Sequence, residues 1–295
     1  MKDLVVFIKE ALISEGGNAV TAEPIPAYIA PLIYQDIEKK ILDYDSNLEI
    51  APLGSLGKKL DDQTTGDIDI AISISSMDEI EEFVNKLWPN AEIKRMDGLK
   101  VLSMSYPYNK EGKKGNAQID FMMVKRLDWA KWRYDSPDFR KGESKYKAAV
   151  KDYLLRCIVG VIPVKDAKDE YFEDGTTVKK HWKYTFNTEG VFKQLLNYTG
   201  KNGKPKKTAD KEINELFSND PKNVMTFILG ETAKPEDYKS AESIWKAFHE
   251  KWPWGDESMG KAEERFYTDF IYGKQSKVPL DPKDFPCKIY KPENT

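Results

Sequence analysis

The feature that most restricts how this chain of 295 residues can fold is an alternating stretch at residues 66–72, GDIDIAI. Successive side chains on a β-strand point to opposite faces of the sheet. Asp67 and Asp69 therefore share one face, and the opposite face carries Ile68, Ile70 and Ile72. The alternation predicts a strand with one face in a hydrophobic core and two carboxylates on the other.

A third acidic residue repeats this pattern farther along the chain. Asp120 lies in residues 117–124, AQIDFMMV, between Ile119 and Phe121. Carboxylates about 6 to 7 Å apart along a strand repel each other and favour a hard cation between them. Mg²⁺ prefers such oxygen ligands, with Mn²⁺ as the alternative ion. A third carboxylate beside the pair predicts a two-metal site for phosphoryl displacement.

A glycine-serine step, Gly54-Ser55, follows a short strand predicted at residues 48–53. Glycine lets the backbone approach a phosphate closely, and successive N–H groups in a turn form an anion-binding nest. Ser55 adds a hydroxyl donor, and Lys58 and Lys59 add positive charge. The turn, the lysines and the metal are together expected to hold a nucleoside or deoxynucleoside triphosphate.

The order of these motifs resembles that of the DNA polymerase beta-type nucleotidyltransferase superfamily. The matching segments are Leu53-Gly54-Ser55, Asp67-Ile68-Asp69 and Ile119-Asp120-Phe121, within residues 45–125. Gly66 and Lys58 also fit what members of the superfamily carry. The resemblance implies Asp67, Asp69 and Asp120 as metal-binding catalytic residues, and Gly54, Ser55, Lys58 and Gly66 as nucleotide-binding residues. The same motif also looks like that of the aminoglycoside nucleotidyltransferases. It therefore indicates the type of reaction but does not identify the acceptor.

The predicted fold class is α/β (α+β), a nucleotidyltransferase palm with a mixed β-sheet followed by a mainly helical C-terminal domain. We place the catalytic domain with its N-terminal helices at residues 1–135 and the second domain, with a small β element, at 136–295. A polar loop is expected at 109–116. Apolar spacing predicts helices at 3–14, 28–42, 77–88, 144–159, 209–218, 221–229, 235–251 and 257–273.

The helix predicted at 144–159 carries four cationic side chains that we expect to face outward: Lys145, Lys147, Lys151 and Arg156. Members of the superfamily often recruit a lysine from a helix after the palm, so the resemblance implies Lys145 as a further nucleotide-binding residue. A solvated helix face is the alternative interpretation, and it stays open.

Composition limits the partners and the compartment. A net charge of −3 provides no overall attraction to nucleic acid, so such binding would need local basic patches. The two cysteines are far apart, and no apolar run is long enough to cross a bilayer. We therefore expect a cytoplasmic protein without a membrane partner, and we interpret His181 and His249 as ordinary structural residues.

The motif is compatible with more than one acceptor. Aromatic and basic residues are frequent after Leu127, so a nucleic-acid 3′ end, of RNA or DNA, is the first expectation. Nucleotidyl transfer to a small molecule or a protein is the second. A noncatalytic nucleotide-binding or antitoxin-like module is the alternative outside the enzyme class.

Overall fold

The computed structural model describes residues 19–200, 202–271 and 280–291. These residues form two compact units, 19–149 and 150–271 with 280–291. The described part contains seven α-helices and three β-sheets, so the fold is α+β. The helix predicted at residues 3–14 lies outside the described residues.

The first unit is built on a mixed sheet of five strands. Its strand order is β2-β4-β7-β6-β5, with β4 and β7 parallel and the other neighbours antiparallel; β1 and β3 form a separate two-stranded pair. The strands are β1 (Ile25–Pro26), β2 (Ile50–Pro52), β3 (Thr64–Thr65), β4 (Asp67–Ile72), β5 (Ile93–Met96), β6 (Val101–Lys110) and β7 (Lys113–Met123).

Three α-helices accompany this sheet: α1 (Ala30–Tyr44), α2 (Met77–Leu87) and α3 (Leu127–Tyr134). The isoleucine face of β4 packs in one buried cluster with residues of α1 and α2, such as Ile37 and Phe83. Ile68, Ile70 and Ile72 are each at most 1% exposed, which confirms the predicted core face. Ser76 caps α2, because its Oγ accepts the Glu79 N–H at 3.2 Å.

The polar stretch at 109–116 is not a loop, as its composition had suggested, but the end of a β-hairpin. Cross-strand pairing of β6 with β7 continues to Lys110 and Lys113, leaving only Glu111 and Gly112 in the turn. Both have positive φ, 48° and 70°, as a tight hairpin turn requires. The prediction failed because polar side chains on an exposed hairpin look like a loop, whereas the partner strand supplies the hydrogen bonds.

The second unit has a four-stranded antiparallel sheet in the order β11-β10-β9-β8. Its strands are β8 (Glu170–Tyr171), β9 (Val178–Asn187), β10 (Gly190–Thr199) and β11 (Pro205–Ser218), and the remaining helices are α4 (Ala148–Val159), α5 (Pro221–Leu229), α6 (Ala241–Lys251) and α7 (Asp256–Phe266). The division between the two units falls between Ala149 and Val150, in the first turn of α4.

Several predicted boundaries in this unit need correction. The helix predicted at 209–218 is wrong, since these residues belong to β11, and the β element is correspondingly larger than expected. The helix predicted at 221–229 is confirmed as α5. The helix predicted at 235–251 is split into a 3-10 turn, Pro235–Tyr238, and α6. The helix predicted at 257–273 corresponds to α7 followed by a π-helical turn, Tyr267–Ile271.

Within the described ranges, none of the helices has both the length and the apolar character needed to span a membrane.

Candidate active site

The three predicted acids come together on the sheet of the first unit. Asp67 and Asp69 lie on β4, and Asp120 lies on the adjacent parallel strand β7. One carboxylate oxygen from each residue lies within 4.8 Å of one from each of the others. Asp67 and Asp69 are partly exposed, whereas Asp120 is buried at 3% exposure. The cluster therefore has one deep carboxylate and two near the surface.

Strand register explains why these acids meet. In the parallel pair, Asp69 is opposite Asp120 and Asp67 is opposite Gln118. Directly paired residues project to the same face, so the carboxylates converge across the two strands. Ile119 and Phe121 point to the buried face, where both are 0% exposed. A shift of the strand register by one residue would turn the acids toward the core and the apolar side chains toward the site. The hydrophobic core therefore fixes the position of the acids.

Gln118 and Ser103 surround the carboxylate of Asp120. The Gln118 Nε2 donates to both carboxylate oxygens, at 3.0 and 3.1 Å, and Ser103 is the antiparallel cross-strand partner of Asp120 on β6. Burial raises the pKa of Asp120, while the hydrogen bonds from the Gln118 amide oppose that rise. Because the buried, charged form is costly, a bound cation would favour ionised Asp120.

Gly54 lies directly against the carboxylate of Asp69. A Cβ built at Gly54 would be only 2.9 Å from Asp69 Oδ2, and the residue has a positive φ of 65°. Both the space and the backbone conformation therefore require glycine. The Gly54 N–H donates to the Tyr134 carbonyl at 3.2 Å, so this N–H is already engaged within the protein. In this structure the glycine leaves room for a carboxylate, rather than offering its own N–H to a phosphate.

The other residues predicted to bind nucleotide lie around the turn that follows Gly54. Ser55 is partly exposed, and its carbonyl accepts the Lys58 N–H at 3.0 Å. The Lys58 Nζ forms an ion pair with Asp135 and donates to the Ser136 carbonyl at 2.8 Å. Gly66 is the residue between β3 and β4, immediately before Asp67. Their phosphate contacts stay predictions.

Lys145 does not lie on a helix. The helix expected to begin at residue 144 begins at Ala148, and Lys145 lies three residues earlier, exposed, with its Nζ 5.4 Å from the centre of the Tyr146 ring. The predicted cationic face of this helix also needs correction. Lys151 is 4% exposed, and the side chain of Arg156 is 11% exposed and forms an ion pair with Asp152 at 2.7 Å.

Sequence reasoning missed two residues of the site. Gln118 lies two residues before Asp120, so the strand period places both on one face of β7, and this spacing is the signal that could have identified it. Asp135, the ion-pair partner of Lys58, is separated from it by 77 residues, and no local pattern connects them.

No known protein family matches this sequence, and no curated protein matches it. Function is therefore inferred from the geometry of the carboxylates and from the order of the motifs.

Proposed function

We propose that this protein is a metal-dependent nucleotidyltransferase. It would transfer a nucleoside monophosphate from an NTP or dNTP to an acceptor hydroxyl and release pyrophosphate. The observation that carries the proposal is the convergence of Asp67, Asp69 and Asp120 on two parallel strands, with an oxygen from each within 4.8 Å of the others.

The carboxylate set fits Mg²⁺ or Mn²⁺. Magnesium binds oxygen ligands at about 2.0–2.1 Å, so ligands on opposite sides of one ion are about 4.2 Å apart. The observed limit of 4.8 Å requires only small side-chain rotations to reach this value. All three donors are hard carboxylate oxygens, the type that both ions prefer. The close fit of Gly54 against Asp69 supports the same interpretation, because it restricts where that carboxylate can lie.

Each acid has a separate part in the proposed reaction. Asp67 and Asp69 would be shared ligands of two ions, and Asp120 would complete the ion beside the acceptor hydroxyl. Bound metal ions supply charge that stabilises both the attacking and the leaving oxygen of such a displacement. In the reaction the acceptor oxygen bonds to the α-phosphorus, the bond from that phosphorus to the bridging oxygen breaks, and the hydroxyl proton leaves to solvent.

The nucleotide-binding part of the proposal involves Ser55, Lys58, Gly66 and Lys145, whereas Gly54 makes room for the Asp69 carboxylate. Lys58 would exchange its ion pair with Asp135 for a phosphate oxygen. That exchange costs little, because partly exposed ion pairs contribute only about 0–1 kcal/mol. We propose that the mixed sheet of the first unit serves as a nucleotidyltransferase palm, and we place the reaction in the cytoplasm.

The proposed acceptor is a nucleic-acid 3′ end. The test follows label transfer from α-³²P-labelled NTPs and dNTPs to single-stranded, primed and transfer-RNA acceptors in Mg²⁺, beside Asp69→Asn. Asp62→Asn is the matched control, since Asp62 is an exposed acid in the preceding loop. Label on a nucleic acid with wild type and Asp62→Asn, but not with Asp69→Asn, supports the proposal.

The same experiment separates the alternatives. Label that appears on a protein or on an added small-molecule hydroxyl acceptor, and not on a nucleic acid, would indicate a small-molecule or protein acceptor. No transfer to any of these three classes of acceptor, together with nucleotide binding by calorimetry, would contradict the enzyme assignment and favour a noncatalytic nucleotide-binding module.

A further inference from the structure

A row of three polar side chains crosses neighbouring strands of the sheet in the second unit. Lys183 on β9 pairs with Gln194 on β10, which in turn pairs with Asn214 on β11. The Gln194 Nε2 donates to the Asn214 Oδ1 at 2.6 Å. Gln194 is 3% exposed, whereas Asn214 is exposed, so the row leads from the interior of the unit to its surface.

Two lysines share this face of the sheet and the charge of an arginine from α7 acts on one of them, and we refer to Lys183, Lys211 and Arg265 as the basic cluster. Lys211 on β11 is registered opposite Leu196, two residues along β10 from Gln194 and therefore on the same face. Arg265 comes from α7, and a Cβ built at Gly160 would be 2.7 Å from its Nη1. Burial and the charges of Arg265 and Lys211 lower the pKa of Lys183.

Little negative charge balances the basic cluster. Within the described residues, Lys183 and Lys211 form no ion pair and no side-chain hydrogen bond, and Arg265 has only Asp269, at 4.0 Å. Asp169, the residue before β8, already pairs with His181 at 2.8 Å. Collecting cations in a partly buried place is costly unless an anion binds among them.

Neutral hydrogen-bonding groups accompany the charges. Thr185 is two residues from Lys183 on the same face of β9, and its Oγ is buried with no hydrogen-bond partner in the described part of the chain. Arginine presents a planar set of donors that matches phosphate, and lysine adds a compact positive charge. A terminal phosphate carries up to about two negative charges, and neighbouring phosphodiesters of a nucleic-acid strand carry one each, so either balances three cations better than a single carboxylate does.

We infer that the basic cluster of Lys183, Lys211 and Arg265 binds a phosphate group of a nucleotide or of a nucleic-acid strand. This site belongs to the second unit and does not depend on the acids of the first. The inference therefore stands or fails separately from the proposed transferase activity.

The test measures binding to the full chain in EDTA, in an Asp67→Asn/Asp69→Asn background that removes the metal-binding pair. Two probes are titrated at low salt: inorganic tripolyphosphate and a single-stranded RNA 12-mer. Lys183→Met/Lys211→Met should weaken binding by about tenfold or more, since two charge-assisted contacts are lost. Lys193→Met is the matched control, because Lys193 belongs to the same sheet but lies over the Trp182 ring on the opposite face.

Binding of tripolyphosphate alone would identify nucleotide phosphates as the ligand, and salt-dependent binding of the RNA would identify a nucleic-acid backbone. Equal affinities of the double variant and the Lys193→Met control would overturn the inference, as would failure of both probes to bind. Lys211→Glu provides a second variant that is independent of the half-buried Lys183, because Lys211 is exposed. It should weaken binding without lowering the Tm.

Discussion

At the scale of single residues, the contact between Gly54 and Asp69 is the tightest constraint on the candidate site. The glycine both takes a positive φ and leaves the space that Asp69 Oδ2 occupies. Gly57, three residues later, has nearly the same φ of 67°, but a Cβ there would meet only the Pro31 Cγ, at 3.7 Å. Alanine substitutions at these two glycines therefore distinguish the effect of backbone strain, which both share, from displacement of the Asp69 carboxylate, which only Gly54→Ala causes.

We predict that Gly54→Ala and Gly57→Ala destabilise the protein by similar amounts, about 1–2 kcal/mol, because each forces an alanine into the left-handed region. Gly54→Ala alone should also reduce label transfer, on the order of 10–100-fold, since it displaces Asp69. Thermal unfolding and initial rates measure the two effects. Equal loss of activity in both variants would contradict this role for Gly54.

The deep acid, Asp120, should make opposite contributions to stability and to activity. Its pKa is raised by burial, so ionising it costs free energy of folding when no metal is bound. The favourable effect of the raised pKa is present below the usual value of 3.8 and is lost as pH rises through the folded value. Asp120→Asn avoids this loss.

In EDTA, Asp120→Asn should therefore raise the Tm relative to wild type, with a gap that widens as pH rises from about 4 toward neutrality. The same variant should have no detectable transferase activity in Mg²⁺. Melting curves over this pH range test the prediction, with Asp62→Asn as the control for loss of an exposed acid. A lower Tm for Asp120→Asn at neutral pH would indicate that the carboxylate serves the fold.

At the scale of secondary-structure elements, one buried carboxylate connects α7 to the last described segment. Glu263 is 0% exposed, faces the His249 Nε2 at 2.6 Å, and accepts backbone N–H groups from Lys288, Ile289 and Tyr290. Burial opposes its ionisation, but these hydrogen bonds outweigh that effect and lower the pKa of Glu263. Both histidines thus pair with acids, His181 with Asp169 and His249 with Glu263.

Glu263→Gln should destabilise the protein by about 2–4 kcal/mol near neutral pH, because the buried donors lose a charged acceptor. The lowered pKa means that this stabilisation is present above the usual value of 4.5 and is lost as pH falls through the folded value. Denaturant unfolding should show that the free energies of unfolding of Glu263→Gln and wild type differ less at acid pH than at pH 7. Glu264→Gln, at the exposed neighbouring position, should differ from wild type by less than about 0.5 kcal/mol.

At the scale of the whole molecule, prediction from sequence succeeded where one face of an element is buried, because its apolar residues then recur with the period of a strand or a helix. The alternation in β4 fixed its core face, and the apolar spacing of α2 and α5 located those helices within a residue or two of their ends. It failed for β11, which is exposed along most of its length and so shows no alternation. Its charged, helix-favouring residues form a strand because β10 provides a hydrogen-bonding partner.

The candidate site was predictable to a similar extent and for the same reason. The three acids follow from strand periodicity, and the parallel register brings them together. The ion pair of Lys58 with Asp135 and the basic cluster of the second unit join residues that are distant in sequence. No local pattern encodes such contacts, which arise only when the chain folds.

We propose above all that the three carboxylates support metal-dependent transfer from a nucleoside triphosphate. The most direct test is pyrophosphate release from a mixture of NTPs and dNTPs with mixed acceptors, in Mg²⁺ and in EDTA, for wild type, Asp67→Asn/Asp69→Asn and Asp62→Asn. We expect release only in Mg²⁺, by wild type and Asp62→Asn. Release that persists in EDTA or in the Asp67→Asn/Asp69→Asn variant would contradict the claim.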